Sequence, residues 1–411
     1  MKERPNVKDV GPERAAQAVR STYIAFMGTG FALSSWASRV PQVRDHFHLT
    51  PSTLGVVLLA ISAGSVLSLP VSGAIIAHFG SRRTVAGMAV LFGAGLGMVA
   101  SGLLIGLAAV ATGLFLLGFA NGAWDVAMNV HGAALERVIG HSILPRFHAA
   151  WSLSTVAGAL VGAAMVALSV PVPVHLGAVA ALVVLVIPMS SQGFLAGPER
   201  TAADRANGDV DNASVDVRAW RAALVAWREP RTLAIGIFVV AFAFAEGAGN
   251  DWINVAAIDG YHVPAEVGSL TLVTFLAAMT VGRWFGPVLL DRYGRVPVVR
   301  FLALTGAIGA ALFVVGPATP LAFVGALLWG AGVSLGLPVG LSAAADDPSR
   351  AAARVSVVSS VGYAGFLSGP PLLGLLGNQF TVRRALAAVA VLLVLDTMIT
   401  KVIRPLPDAK Q

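Results

Sequence analysis

Cysteine is absent from the 411 residues, which excludes disulfides, zinc–thiolate sites, iron–sulfur clusters and thiol catalysis. Charge is scarce as well: Asp, Glu, Lys and Arg make up 12% of the chain, where a soluble domain carries about a quarter. Missing too are a Gly-x-Ser-x-Gly elbow, a cluster of metal-ligating side chains and a Gly-rich phosphate loop ahead of a lysine. An enzyme and an ATP-driven pump are therefore not expected, and neither is a metal or cofactor. The first twenty residues, which include Lys2, Arg4, Lys8, Arg14 and Arg20, lack the apolar core and small-residue cleavage site of a secretory signal and read as a cytosolic tail.

What is abundant is apolar sequence, at 56% of residues. The formal charge of +7 raises nucleic acid as a partner, but the cations form no run with interleaved aromatics. They fall in short segments between apolar stretches, so membrane lipid is the expected surrounding and nucleic acid is not. A helix crossing about 30 Å of hydrocarbon needs roughly 20 apolar residues, because no backbone polar group can stay unpaired there. Twelve stretches meet that test, near 22–40, 53–77, 84–104, 107–130, 147–170 and 173–189, then 232–257, 269–290, 296–315, 321–344, 353–376 and 385–403.

The expected fold is therefore an all-α membrane protein of twelve transmembrane helices in two pseudo-symmetric six-helix bundles. Its divisions are a cytosolic tail over 1–20, a bundle over 21–193, a polar cytosolic linker over 194–231, a second bundle over 232–404 and a cytosolic tail over 405–411. A weak repeat supports the duplication: Pro51 and Gly80 bracket span two, and Pro264 and Gly294 bracket span eight at nearly the same spacing. With the amino terminus inside, 23 of the 28 Lys and Arg lie on the inner side; Arg39, Arg44, Arg383 and Arg384 fall in outer loops and Arg283 lies within span eight. That bias puts both termini in the cytosol, and a bacterial plasma (inner) membrane is the expected location.

The short inner loop Asp291-Arg292-Tyr293-Gly294-Arg295 resembles the loop signature of the major facilitator superfamily. Its first-half counterpart is degenerate, with Ala77 and His78 where that family usually has Asp and Arg. Further stretches resemble the fucose-permease-like branch and a bacterial group near it: Asn121-Gly122-Ala123-Trp124-Asp125 through Asn129, His148 to Leu153, and Glu246-Gly247 with Asp251-Trp252. The resemblance implies secondary transport by alternating access and proton symport through a helix-four carboxylate, which Asp125 matches. It also implies that the loop signature latches cytosolic helix ends. Pseudo-symmetry then pairs Asp291 with Arg146, and Asp291, Arg292, Arg295 and Arg146 are the gating candidates.

Ionisable groups within hydrocarbon are costly and usually face a polar cavity. Asn121, Asp125 and Asn129 recur every four residues along one stripe of span four, and Glu246, Asn250 and Asn254 repeat the spacing on span seven, as two walls of one aqueous cavity. A sheltered carboxylate can take and release a proton as access alternates, so Asp125 and Glu246, with His148 at the start of span five, are the proton-coupling candidates. For each, a structural hydrogen bond or a helix cap is the competing role. Asn121, Asn129, Asn250, Asn254, Ser152, Ser360 and Tyr363 offer donors and acceptors for a hydroxylated solute. Trp36, Trp124, Trp151 and Trp252 are candidate ring platforms or interfacial anchors. Arg283 reads as a structural ion-pair partner or an anion-binding group, and Asp396 as a packing or snorkelling residue.

The leading expectation is a monomeric proton-coupled transporter of a small polar solute such as a sugar or polyol. The alternatives are a proton-antiport exporter of drugs or apolar metabolites, and a membrane receptor or scaffold that moves nothing. The resemblance implies that an exporter of this superfamily would carry a Gly-rich, Pro-containing signature in span five; here span five lacks a proline after Gly158 and Gly162, and a Gly/Pro string, Gly365, Gly369, Pro370 and Gly374, lies in span eleven instead.

Overall fold

The computed structural model describes residues 11–141, 143–195, 225–347 and 350–406. Part of the amino-terminal tail, most of the 194–231 linker and the carboxyl end lie outside the described residues. The elements are α1 (Pro12–Ala37), α2 (Val40–His46), α3 (Pro51–Ile105), α4 (Leu107–Ile139), α5 (Leu144–Ala167), α6 (Val172–Ser191), α7 (Pro230–Tyr261), α8 (Ala265–Tyr293), α9 (Arg295–Val315), α10 (Thr319–Val333), α11 (Gly336–Ala344), α12 (Ala351–Gln379), α13 (Val382–Ala385) and α14 (Ala387–Ile399), followed by a 3-10 turn, Thr400–Ile403. Proline stands in the first helical turn of α1, α2, α5, α6, α7 and α10, where its missing N–H costs nothing.

Nine helical stretches among the described residues are long and apolar enough to cross a membrane. One of them, α3, has 55 residues and non-helical backbone at Gly80 (φ 76°, ψ 157°), so it is two spans joined at a corner. With α1 and α12, whose polar residues lower their hydropathy, the described helices supply the twelve spans of the fold. The same corner recurs between α8 and α9 at Gly294 (φ 83°, ψ 161°). That region of backbone space is open to glycine alone, so the repeat seen in the sequence is matched by a repeat in the chain path.

Contacts divide the chain into two compact units, 1–47 with 60–210 and 48–59 with 211–411, the division falling inside α3. In the first unit α1 lies closely along α5: a methyl group at Gly30 would strike the Trp151 carbonyl, and one at Gly158 the Phe31 carbonyl. Phe26 stacks on Phe147 at 5.5 Å across this seam. Arg39, expected in an outer loop, is instead 2% exposed. Its Nε donates to His175 Nδ1 at 2.9 Å and its Nη2 to the Val170 carbonyl at 3.1 Å.

In the second unit α7 is the most enclosed helix, buried almost continuously from Ile235 to Ala257. Span ten is broken into α10 and α11 at Ser334 and Leu335, where α8 packs so closely that a methyl group at Gly282 would meet the Ser334 side chain. The Gly/Pro string of span eleven runs inside continuous helix α12. There Gly374 faces the Pro51 backbone, and the Pro370 carbonyl faces Gly55, on the first turns of α3, so the string serves close backbone approach. Arg383, on the expected outer side, donates to the Gly260 carbonyl at 2.8 Å and lies over the Tyr261 ring at 4.7 Å, capping the end of α7.

Candidate functional site

In the first unit the packing of α1 on α5 fixes His148, whose ring meets Phe26 edge-on at 5.1 Å. Its Nε2 lies 3.0 Å from Asn129 Oδ1 on α4. The Asn129 amide nitrogen then donates to Asp125, at 3.2 Å to Oδ1 and 2.9 Å to the main-chain oxygen one turn back. An amide oxygen only accepts, so His148 Nε2 carries the hydrogen, and the bonds run from His148 to Asn129 and from Asn129 to the main-chain and carboxylate oxygens of Asp125. His148 is exposed while Asn129 and Asp125 are partly enclosed. The three residues therefore connect a titratable ring at the surface to an acid inside the helix bundle. The sequence stripe offered Asn129 to a solute; its side chain is already committed at both ends.

In the second unit the sequence candidate Glu246 is 7% exposed. A single guanidinium nitrogen of Arg283, Nη2, sits 2.9 Å from each of its carboxylate oxygens. Arg283 Nε also donates to the Ser334 carbonyl at 3.3 Å, a group the break between α10 and α11 leaves without a helical partner. The arginine thus caps α10 and neutralises Glu246 at once. Removing one member of an enclosed pair strands the other, at a cost of about 3–5 kcal/mol.

The other candidates divide by burial. Trp124 and Trp252 are 0% exposed and Trp36 is 4% exposed, with Trp124 edge-on to Phe92 at 5.9 Å. These three are core packing and present no ring face to a solute, a correction to the platform reading. Asn254 is likewise fully buried, its side-chain oxygen accepting from the Val255 N–H at 2.8 Å. Ser152 is buried beside Thr155, which donates to the Ser152 carbonyl at 2.7 Å. Trp151, Asn121, Asn250 and Tyr363 remain partly exposed, and Ser360 is exposed with its hydroxyl on the Ser356 carbonyl.

Among the gating candidates, Asp291, Arg292 and Arg146 are exposed, and Arg292 lies over the Tyr293 ring at 5.2 Å. Arg295 is engaged within its own unit, with Nη1 at 2.6 Å from Asp346 Oδ1 and Nη2 at 3.0 Å from Ser342 Oγ. Asp346 also binds Arg231 at 3.0 Å. Beside them Glu229 takes Arg354 at 2.6 Å and Arg350 at 3.0 Å, and Arg354 reaches Asp347 at 3.4 Å. The Arg354 hydrogen bond, with help from Thr232 and Arg350, holds the Glu229 carboxyl below its ordinary value of 4.5 against the opposing effect of burial. Sequence reasoning missed this network because it counted the inner cations for orientation and left out the acids Glu229, Asp346 and Asp347 interleaved with them.

Comparison with known proteins places these features in context. A family model described as Major Facilitator Superfamily matches residues 247–411. An uncharacterized transporter of Sinorhizobium fredii is 29% identical over 94% of this chain and 98% of its own length. A 2-nitroimidazole transporter of Escherichia coli is 27% identical over 82% of each. Among solved structures, a nucleoside transporter superposes with a TM-score of 0.77 at 13% identity, covering 95% of this chain and 99% of that one. A D-xylose–proton symporter gives 0.75 at 13% identity, covering 96% and 98%, and the E. coli fucose:proton symporter 0.61 at 12%, covering 94% and 98%. At such identities the superpositions show a shared fold.

Proposed function

We propose that the chain is a transporter of the major facilitator superfamily and that it moves a small polar solute, such as a sugar or polyol, together with protons by alternating access. The observation that carries the reading is the directed chain from exposed His148 through Asn129 to Asp125. A carboxylate that must gain and lose a proton needs a route to water and an environment that does not fix its charge by an ion pair. Asp125 is itself only partly enclosed, is hydrogen-bonded through Asn129 to the exposed His148 ring, and has no salt bridge among the described residues. The bias of Lys and Arg supports both termini facing the cytosol from a bacterial plasma membrane, with the monomer as the working unit and the 21–193 and 232–404 bundles as its moving parts.

The test is accumulation in proteoliposomes under an imposed pH gradient, over a panel of sugars, polyols, amino acids and lipophilic cations. An inward proton gradient should drive accumulation of a polar solute by the natural protein. Asp125→Asn should abolish gradient-driven accumulation and keep exchange between labelled and unlabelled solute. Accumulation by that variant at the natural rate refutes coupling through Asp125. The relative named for 2-nitroimidazole favours a second reading, export of a small heteroaromatic compound by proton antiport; it predicts net movement up the proton gradient in the opposite sense.

A further inference from the structure

We infer that Glu136 is a positioning residue for the His148–Asn129 contact: its carboxylate holds the start of α5 against the end of α4 and sets the register at which His148 meets Asn129. The inference rests on the proton-coupled reading above and adds the residue that keeps its hydrogen bonds assembled.

A helix start leaves backbone N–H groups without a helical partner. At α5 the residue before the helix, Ile143, supplies no side-chain cap, and Pro145 brings no N–H. The missing acceptor comes from α4: Glu136 Oε1 takes the Ile143 and Leu144 N–H groups at 2.7 Å each. A carboxylate at a helix N-terminus is also favoured by the helix dipole. Ile143 is buried, so water does not readily replace that acceptor.

One face of α4 meets α5 at three places in order. Asn129, Gly132 and Glu136 stand at i, i+3 and i+7, along one side of the helix. Asn129 Oδ1 lies 3.0 Å from His148 Nε2. A methyl group at Gly132 would come within 2.7 Å of the Leu144 side chain and 3.5 Å of the Phe147 ring, and Glu136 holds Ile143 and Leu144. As the position on α4 advances from 129 to 136, the partner on α5 recedes from 148 to 143, an antiparallel pairing with Glu136 at its closed end. The chain turns back there through Gly140, whose φ of 77° is left-handed and whose N–H bonds to the Glu136 carbonyl at 2.9 Å.

Register matters because the tolerance is small. The His148–Asn129 contact of 3.0 Å ceases to be a hydrogen bond beyond about 3.5 Å, whereas one residue of helix advances about 1.5 Å. A slide of α5 by less than one residue therefore parts the two side chains. Glu136 grips the main chain of α5, so a slide pulls directly on both of its bonds with no α5 rotamer to absorb it. His148 also meets Phe26 of α1 edge-on at 5.1 Å, but a ring contact tolerates a slide of that size and does not set the register alone.

The experiment compares the purified full chain with three variants. Glu136→Met keeps the side-chain length without the acceptor, Glu136→Gln keeps an amide oxygen that takes both N–H groups, and Asn129→Ala removes the partner of His148. The first readout is the rate at which diethyl pyrocarbonate modifies His148, followed by mass spectrometry. Glu136→Met should raise that rate about twofold to tenfold, the range that freeing one hydrogen bond allows, and so match Asn129→Ala. Glu136→Gln should keep the natural rate. The second readout is transport in proteoliposomes of the panel solute that the natural protein accumulates. Glu136→Met should lose gradient-driven accumulation and keep exchange of labelled for unlabelled solute, and Glu136→Gln should retain both. A cap that only stabilises α5 would lower the melting temperature of Glu136→Met and leave His148 as unreactive as before, which overturns the inference. Raised His148 reactivity in Glu136→Gln also overturns it, whether or not Glu136→Met folds, because the role would then belong to the negative charge. If Glu136→Met frees the ring while it and His148→Gln both accumulate solute at the natural rate, the clamp stands and the proposed function fails.

Discussion

Replacing Gly294 by Ala separates backbone strain from packing. A methyl group there would meet no atom within 4 Å, so steric conflict contributes nothing. What remains is the backbone: φ 83° and ψ 161° lie in a region essentially closed to residues with a Cβ, at a cost of about 1–3 kcal/mol. Gly87, within α3, also faces open space but has ordinary helical backbone, and Ala there should gain about 0.5–1 kcal/mol. The two substitutions add the same atom to equally open sites and should move stability in opposite directions, separated by about 1.5–4 kcal/mol. Asn at 294 should not rescue, because Asn tolerates the left-handed helical region near ψ +47° and not an extended ψ. Gly80→Ala should carry a backbone cost of the same size, since its φ and ψ are nearly those of Gly294. Melting temperatures in a single detergent, read from intrinsic fluorescence, give the order. A Gly294→Ala protein melting at or above Gly87→Ala would refute the argument and, with it, the equivalence of the two corners.

The inner charge network yields two further expectations. Asp346→Asn weakens two ion pairs, to Arg231 and Arg295, whose guanidinium groups keep 30% and 25% exposure. The stability loss should therefore stay near 1.5–3 kcal/mol, read from chemical denaturation with the spans held in detergent. For Glu229 the folded-state carboxyl is depressed from 4.5, so its contribution is full above that value and disappears as pH falls through the folded value. Between pH 7 and pH 5 the melting temperature of Glu229→Gln should lie below that of the natural protein by a constant amount. The gap should close on further acidification, and a gap that widens there is the wrong sign.

The fold was legible because its signals are collective. Twelve apolar runs, a central polar linker and the paired Gly80 and Gly294 corners each follow from lipid excluding unpaired backbone, and no one residue decides them. The candidate site was legible in part. Spacing put Asp125 and Asn129 on one face of α4, and the helix-start position of His148 on α5 was visible. Their joining was not, because it depends on how α5 lies against α4, where a methyl group at Gly132 would meet the Leu144 side chain. The aromatic candidates misled for a physical reason: a Trp beside an acid looks alike in sequence whether its ring faces a solute or, as with Trp124 against Phe92, fills the core. Arg283 was recognised as an ion-pair candidate, but its partner and its second bond depend on the helix break at Ser334, whose carbonyl loses its i+4 donor because position 338 is proline.

Asp396 tests whether an enclosed acid needs a purpose to persist. The sequence suggested a packing or snorkelling residue. The structure leaves it 2% exposed, and neither carboxylate oxygen has a hydrogen-bond partner among the described residues. Arg300 on α9 spends its Nε on Thr400 Oγ1 at 3.0 Å, one turn beyond Asp396 on the same side of the final helix. Burying a polar group without a partner costs about 1–3 kcal/mol, and Leu fills nearly the same space with no such penalty. If Asp396 is only packing, Asp396→Leu should raise the melting temperature and leave solute uptake unchanged, and Asp396→Asn should leave both near their natural values. A drop in stability for Leu would mean that Arg300 turns to Asp396 in another state of the transport cycle. In that case Arg300→Gln should reproduce the drop in the natural background and add nothing to it in the Leu variant, as expected for two residues acting through one contact.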